Sequence, residues 1–374
     1  MRRIETAPRQ NWIAIVADQG LTYGWAEDEP YWDESAFYEF SASQIDQIEA
    51  ATVELHRLCV AAIETVIARD WWEEMAIPRA LVPWIVDSWH QRQRSVYGRF
   101  DFWFDGKNIK LLEFNADTPT GLIEASVAQW FWLLDKWGER GDQFNSIHER
   151  LVAVWAKLRA QNPTLKLHVA SIDDGEEDFM TANYLRDTAA QAGFDTHYLP
   201  IENIVYDPAN QQFLDGRGRE IGLLFKLYPW EWLAREEFGA FLPLCKTQWV
   251  EPPWKMIWSN KALLVLLWEM FPNHPLLLRA DFTPWSDSYA KKPILAREGA
   301  NISLFENGKT RFHNSGPYRG PFIYQELRVL PEFDGHFPVI GSWVVDGQSA
   351  GIGIREDVQP ITGNKSRFVP HRIA

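Results

Sequence analysis

The sequence predicts a mixed α+β and α/β chain, in which an α/β lobe and an antiparallel-sheet lobe flank a charged hairpin. Three stretches carry this reading. Residues 99–115 alternate polar and aromatic or apolar side chains around Asp105-Gly106, the pattern of two strands and a turn. Residues 165–227 follow a strand–helix–strand rhythm, which fits parallel pairing. From Tyr289 onward, short strands are separated by Asn307-Gly308, Asp334-Gly335 and Asp346-Gly347, each a hairpin signal, with almost no helical periodicity.

The hairpin is the centre of the chain. Side chains on a strand alternate faces, so Phe100, Phe102 and Phe104 share a core face, and Arg99, Asp101 and Trp103 share the other. Glu113 and Asn115 share one face of the second strand. If the strands pair, one side presents a guanidinium, two carboxylates and an amide oxygen. This hard oxygen set beside an arginine suits Mg²⁺ and phosphate. A hairpin whose charges merely pair with each other is the competing reading. Thr118-Pro119 looks like a helix N-cap followed by proline, with a helix from about Thr120 to Trp137. Its N-terminus would lie near Asn115 and favour an anion.

The chain has 374 residues, 46% of them hydrophobic and 24% charged, enough for a large core in two or three lobes. The approximate lobes are 1–160, helical with the hairpin, then an α/β lobe over 161–250, then a sheet lobe over 251–374. A net charge of −14 disfavours a nucleic-acid backbone as partner but leaves room for a nucleotide in a local basic pocket. The 20 tryptophans read as core and cleft lining. Cys59 and Cys245 sit in apolar surroundings and are expected as free thiols, and no Cys/His spacing suggests zinc. MRRIETAPRQNW lacks the apolar core of a signal peptide, and no run approaches about 18 apolar residues. A cytoplasmic protein with no membrane partner is therefore expected. No Ser/His/Asp or Cys/His nucleophile pattern occurs.

Along the chain, residues 1–40 are expected to be an irregular segment packed on the body. Ser41 and Gln44 form a capping box before a long amphipathic helix carrying Ile45, Ile48, Leu55, Leu58, Ala62 and Val66 on one stripe. A second helix runs over about 80–93. Ser146 and Glu149 suggest another capping box, opening a helix to about Gln161. Strands follow at 165–172, 195–199 and 223–227, with a helix over 177–192 closed by Gly193. The loop after the first of these strands carries Asp173, Asp174, Glu176 and Glu177, which could hold an ammonium group or simply be solvated. Lys261 opens an apolar helix and could face a phosphate or cap that helix. Lys292 precedes a short loop with Gly299, a weak phosphate-binding signal. Phe322 to Arg328 is an apolar strand turning polar at Gln325 and Glu326, a plausible edge for adenine. Arg355 stands on the glycine-rich strand GIGIRED.

Taken in order, RFDFWFDGKNIKLLEFNAD, FKLYPWEW, SNKALLVLLWEMFPNH, KPILAREGANI, IYQELRVLP and GIGIRED resemble the synthetase domain of the glutathionylspermidine synthase family. The resemblance covers nearly the whole chain and is strongest to stand-alone acid–amine ligases. It implies an ATP-grasp ligase fold with a pre-ATP-grasp α/β lobe and an antiparallel nucleotide lobe. It also implies ATP and Mg²⁺ as cofactors, and small-molecule carboxylate and amine substrates. The amidase domain of bifunctional members is not matched, so product hydrolysis is not expected.

The resemblance further implies residue roles. Asp101, Glu113 and Asn115 match magnesium ligands, and Arg99 matches the arginine that steadies the transferring phosphoryl group. Phe100 lies within the ATP-binding segment Arg99–Asp101. Lys261 and Lys292 match phosphate-binding lysines, and Glu298 and Gly299 the loop that covers the phosphates. Gln325, Glu326, Leu327 and Arg328 match the adenine-framing strand, and Pro360, Ile361 and Thr362 further ATP contacts. Arg355 matches an arginine near the acyl phosphate. Thr118 and Thr120 stand where the family has serines near glutathione, and Glu176 and Glu177 align with acidic substrate contacts. Val339 replaces a polar ATP contact, and Arg297-Glu298 alters the charge of the covering loop. The implied activity is amide formation through an acyl phosphate, from a glutathione-like acid and a polyamine-like amine. An ATP-binding sensor or partner subunit without ligase activity is the alternative.

Overall fold

The fold is taken from a computed structural model, which describes every residue except 23–24, 27–28, 174–176 and 364–365. Its centre is a five-stranded antiparallel sheet. Across this sheet the strands run Arg367–Val369, Gln348–Asp357, Phe337–Val345, Tyr97–Phe104 and Ile109–Asn115. The charged hairpin is thus an edge pair, and its other neighbours come from the C-terminal part of the chain. The central sheet therefore draws strands from both 1–160 and 251–374.

Register explains the hairpin's two faces. Arg99 is directly opposite Asn115, Phe100 opposite Phe114 and Asp101 opposite Glu113. A bulge after Asp101 places Phe102 opposite Leu111, so Leu112 is the extra residue. Phe100, Phe102 and Phe104 are almost fully buried, and Phe100 stacks on Phe114 with ring centroids 3.9 Å apart. The helix Ala42–Arg69 closes one side of the core, opened by the expected Ser41/Gln44 capping box. Its buried Thr52 hydroxyl meets Ser342 Oγ of the central sheet at 2.6 Å.

A second, parallel sheet runs Gln248–Val250, Leu223–Leu227, Leu167–Ser171, Thr196–Pro200, as the strand–helix–strand rhythm predicts. A third, antiparallel sheet contains Tyr289–Pro293 paired with Phe322–Glu326, and the hairpin Ser303–Glu306 with Lys309–His313. All three predicted turn pairs adopt positive φ at both residues, 50° and 73° at Asn307-Gly308 for example, the type I′ geometry that matches strand twist.

Three local expectations are corrected. Residues 1–40 are not irregular throughout: Arg2–Glu5 pairs with Ala36–Phe40, and the C-terminal His371–Ile373 adds in parallel. The helix after the hairpin begins at Leu122, not Thr120, because Gly121 sits at φ +81° and breaks the chain direction first. It opens with a π-type turn over Glu124–Ala128, and Thr118-Pro119 lies in the loop before it. Ser146 precedes Ile147–Gln161 without a capping box. Its hydroxyl donates to the Ala350 carbonyl and accepts from Arg150 Nε instead. Cys59 and Cys245 are free thiols, and among the described residues no helix is long and apolar enough to cross a membrane.

Two buried lysines pin the base of the hairpin. Lys255 Nζ donates to the carbonyls of Tyr97 and Ala116, where the hairpin enters and leaves, and lies 3.2 Å from Glu251. Glu251 in turn accepts from the backbone N–H of Val96 and Tyr97. Lys226, inside the parallel sheet, pairs with Asp117 at 2.7 Å with both side chains fully buried. The other Asp117 oxygen accepts from Trp230 N–H. Removing one member of such a pair leaves an uncompensated charge. Lys226→Met is therefore expected to lose about 3–5 kcal/mol in urea unfolding, and adding Asp117→Asn should restore part of that loss.

Candidate active site

A cleft of about 1240 Å³ lies between the central hairpin, the third sheet, the loop 294–301 and the segment 360–362. Its floor is the polar face of the hairpin. Arg99 Nε donates to Asp101 Oδ1 at 2.6 Å, and Arg99 Nη1 to the Thr120 carbonyl at 2.6 Å. Asn115 Nδ2 donates to Asp101 Oδ2 at 3.1 Å and to Glu113 Oε1 at 2.9 Å. Arg99 fits under its neighbouring strand because residue 341 is glycine: a Cβ there would lie 2.8 Å from Arg99 Cδ.

Two lysines complete the floor. Lys261 Nζ is 3.1 Å from Glu113 Oε2 and donates to the Ala296 carbonyl at 2.6 Å. Lys292 shares a face with Gln325 on the paired strands and donates to its Oε1 at 2.8 Å and to the Leu112 carbonyl at 3.0 Å. Burial opposes the charge on Glu113, but Lys261 and Lys292 outweigh it and hold the carboxyl well below its usual range. Burial pulls Lys292 down to about 8, with Glu113 restraining the fall.

Asp101, Glu113 and Asn115 bring the hard oxygen-bearing side chains that Mg²⁺ prefers to one side of the cleft, and in this structure the carboxylate oxygens accept from Arg99, Asn115 Nδ2 and Lys261. The strand expected through Arg328 ends at Glu326, so Leu327 and Arg328 lie beyond it, and Gln325 is partly structural: it is buried and also donates to the Leu111 carbonyl at 3.2 Å. Glu326 and Arg328 line the cleft, whereas Leu327 packs on the apolar cluster of Ala290, Ile302 and Leu304.

Across the cleft, Thr118, Thr120 and Arg355 line the wall, with Arg355 Nη2 3.6 Å from Asp101 Oδ2. Arg297 of the loop 294–301 donates to Thr118 Oγ1 and to Glu231 Oε1 at 3.2 Å, so the loop is tied to the opposite wall. Behind that wall, Tyr31, Glu124 and Glu177 cluster: Tyr31 O–H donates to Glu177 Oε1 at 3.4 Å, and Glu124 is buried. Burial, then the neighbouring Glu177, raises Glu124 to about 7. Burial also raises Glu177, against Thr120, Arg355 and Arg99.

The structure brings most of the expected residues together. Arg99, Asp101, Glu113, Asn115, Thr118, Thr120, Lys292, Glu298, Gly299, Gln325, Glu326, Arg328, Arg355, Pro360, Ile361 and Thr362 all line the cleft. Lys261 stands just behind Glu113. The Phe100 side chain is turned into the core, so only its backbone belongs to this segment of the site. Glu177 sits behind the wall, where its neighbour Asp178 is the lining residue, and Glu176 lies outside the described residues. Sequence reasoning missed Trp232 and Leu112 as lining, the Arg297–Glu231 tie and the Asp117–Lys226 pair. Lys226 had a visible signal, a lysine in the middle of the apolar strand LLFKL.

The mixed fold, in which an antiparallel sheet and the loop 294–301 face paired carboxylates and lysines across the cleft, is of ATP-grasp type. The sequence matches the family described as glutathionylspermidine synthase preATP-grasp over residues 3–374, and the chain belongs to that family. It is 42% identical to a Haemophilus influenzae protein whose provisional name is acid–amine ligase, over 99% of both chains. It is 31% identical to trypanothione synthetase of Crithidia fasciculata over 79% of this chain and 50% of that one. It is 29% identical to the bifunctional glutathionylspermidine synthetase/amidase of Escherichia coli over 89% of this chain and 58% of that one. The chain thus spans about half the length of these two larger relatives. The fold is also that of a glutathione synthetase-like effector from Globodera pallida, with a TM-score of 0.57 at 11% identity over 98% of each chain. Family membership places the chain among C–N bond-forming acid–amine ligases.

The Glu124–Glu177 pair has a measurable consequence. A carboxyl raised in the fold favours folding fully below its unfolded value, near 4.5, and loses that contribution as pH rises through about 7. Glu124→Gln should therefore be more stable than the wild type at pH 8, by up to about 3 kcal/mol, with the gap closing toward pH 4. Thermal unfolding across that range measures it, and a gap independent of pH would contradict the assignment.

Proposed function

We propose that the chain joins a carboxylate to an amine at the expense of ATP, with release of ADP and phosphate. One observation carries the reading: Arg99, Lys261 and Lys292 surround the Asp101/Glu113/Asn115 oxygens at the floor of a cleft that continues to Arg355, Thr118 and Thr120. The floor suits a triphosphate and the far wall suits an acid. Resemblance to glutathionylspermidine and trypanothione synthetases supports a glutathione-like peptide acid and a polyamine-like amine.

In this mechanism a substrate carboxylate oxygen attacks the γ-phosphorus, the bond to the β-phosphate oxygen breaks, and an acyl phosphate and ADP form. The amine nitrogen then attacks the acyl carbon, phosphate leaves, and the nitrogen loses its proton. Mg²⁺ held by Asp101, Glu113 and Asn115 would supply charge neutralisation to the phosphate oxygens. Arg99, fixed by Asp101 and the Thr120 carbonyl, presents its guanidinium to the transferring group without reorganising. Lys292 and Lys261 neutralise the phosphates, and Arg355 orients the acid. Arg297 ties the covering loop across the cleft and keeps water from the acyl phosphate.

The test is ADP release with Mg²⁺-ATP, with and without glutathione plus spermidine, and hydroxylamine trapping of the acyl group. Stimulation by the pair and a trapped hydroxamate are expected. Tight ATP binding with no acyl transfer to any peptide and amine panel would favour the sensor alternative. Arg99→Gln is expected to lower turnover by about 10²–10³, and Asp101→Asn to abolish it.

Lys292 sets a pH dependence. Phosphate binds its protonated form, which is lost in the unliganded protein as pH rises through about 8. ATP affinity should fall above that pH, and Lys292→Arg should flatten the profile in a binding titration between pH 7 and 9.5.

A further inference from the structure

On the opposite side of the central hairpin lies a second cavity, of about 730 Å³. Its floor is a row of aromatic rings in edge-to-face contact. Trp89 meets Trp254 at 5.3 Å between centroids, Trp254 meets Trp258 at 4.7 Å, and His56 meets Trp258 at 5.3 Å. The indole N–H groups are spent elsewhere: Trp89 on Glu64, Trp254 on the Gln93 carbonyl and Trp258 on the Cys59 carbonyl. Trp254 and Trp258 are almost fully buried, so the ring surface that the cavity receives comes chiefly from Trp89 and His56, which are half-buried.

The mouth is cationic. Arg92 has no carboxylate partner among the described residues and is exposed at the rim. Arg94 and Lys157 share the single carboxylate of Asp346, and Arg94 Nε is buried without a hydrogen-bond partner. The His56 ring makes no hydrogen bond among the described residues, and burial, then Lys255, lowers it to about 4, so it enters the cavity as a neutral donor and acceptor. None of these residues belongs to the floor or walls of the cleft described above.

We propose that this cavity is a second ligand site, which takes an aromatic group carrying an anion, its ring among His56, Val60 and Trp89 and its charge at Arg92 and Arg94. The cavity wall includes Lys255, whose ammonium holds the Tyr97 and Ala116 carbonyls at the base of the hairpin. A ligand here touches the support of Arg99, Asp101 and Asn115 without reaching them.

The probe is 1-anilinonaphthalene-8-sulfonate, titrated by fluorescence into the full chain held with saturating Mg²⁺-ATP. One bound probe per chain is expected. Arg92→Glu should weaken it about ten-fold, the size of one charge-assisted contact. Val60→Trp, which fills the cavity, should remove it. The neutral N-phenyl-1-naphthylamine should bind more weakly. Unchanged titrations in both variants, or equal binding of the neutral analogue, would overturn the proposal. If Val60→Trp does not fold, the exposed Arg92→Glu and the charge comparison still decide. Displacement by adenosine 5′-monophosphate would assign a nucleotide, and displacement by indole-3-carboxylate an aromatic acid. Competition by neither would overturn the site.

Discussion

Glu113 must stay ionised although most of its side chain is shielded from water, and the arrangement around it follows from that constraint. A lone carboxylate in such a place would take up a proton. Here Lys261 stands 3.1 Å away and Lys292 lies on the facing sheet, so the charge is kept. The same geometry keeps two ammonium groups close together without a bound anion, at the cost of drawing Lys292 down toward neutrality. Asp101 plays the matching part for Arg99. The floor is therefore a balanced lattice of opposite charges, each already oriented by its partner. Preorganised charge of this kind needs no rearrangement at the moment of reaction.

Such a lattice works only if the backbone beneath it cannot drift. The hairpin is at a sheet edge, where strands are least constrained. Lys255 and Glu251 hold its base from one side through the backbone of Val96, Tyr97 and Ala116. Asp117, two residues beyond Asn115, is held from the other side by Lys226 of the parallel sheet and by Trp230 N–H. The parallel sheet, which contributes few lining residues, is thus tied to the floor through one buried ion pair. Buried pairs add little net stability over an apolar replacement, but they are exacting about geometry. Their use at both ends of the hairpin suits a fold that needs position more than extra stability.

How much of this was legible in the sequence depended on range. The hairpin faces, the I′ turns, the Ser41 capping box and the parallel rhythm are set by neighbours within a few residues, and the sequence carries them plainly. The resemblance supplied most of the cleft, because its segments hold the lining residues in order. Long-range facts were hidden. Nothing local in GSWVV says that Gly341 must leave room for Arg99, or that this strand lies against Tyr97–Phe104 across more than two hundred residues. Ser146 had the right neighbour for a capping box, yet the Ala350 carbonyl offered its hydroxyl a tertiary partner. The helix after the hairpin starts beyond Gly121, and Thr118, which looks like its N-cap, is engaged instead by Arg297 from a distant loop.

The two ends of the cleft differ in kind, and that difference bears on the proposed reaction. The floor concentrates fixed cations beside oxygen ligands. The far wall carries threonine hydroxyls, Arg355 and Asp178 at its surface, and keeps Glu124 and Glu177 in a second layer beside Tyr31. Anions are favoured at the floor, whereas a cationic group approaching the wall would meet Glu124, whose charge is opposed by burial and then by Glu177, and Glu177, whose charge is opposed by burial. A ligase of acid and amine has to admit both signs of charge in sequence, and to keep the amine's positive end from settling among the phosphates. Separating strong fixed cations from the carboxyls of the wall by the width of one hairpin, with Arg99 and Arg355 between them, is one physical solution to that requirement.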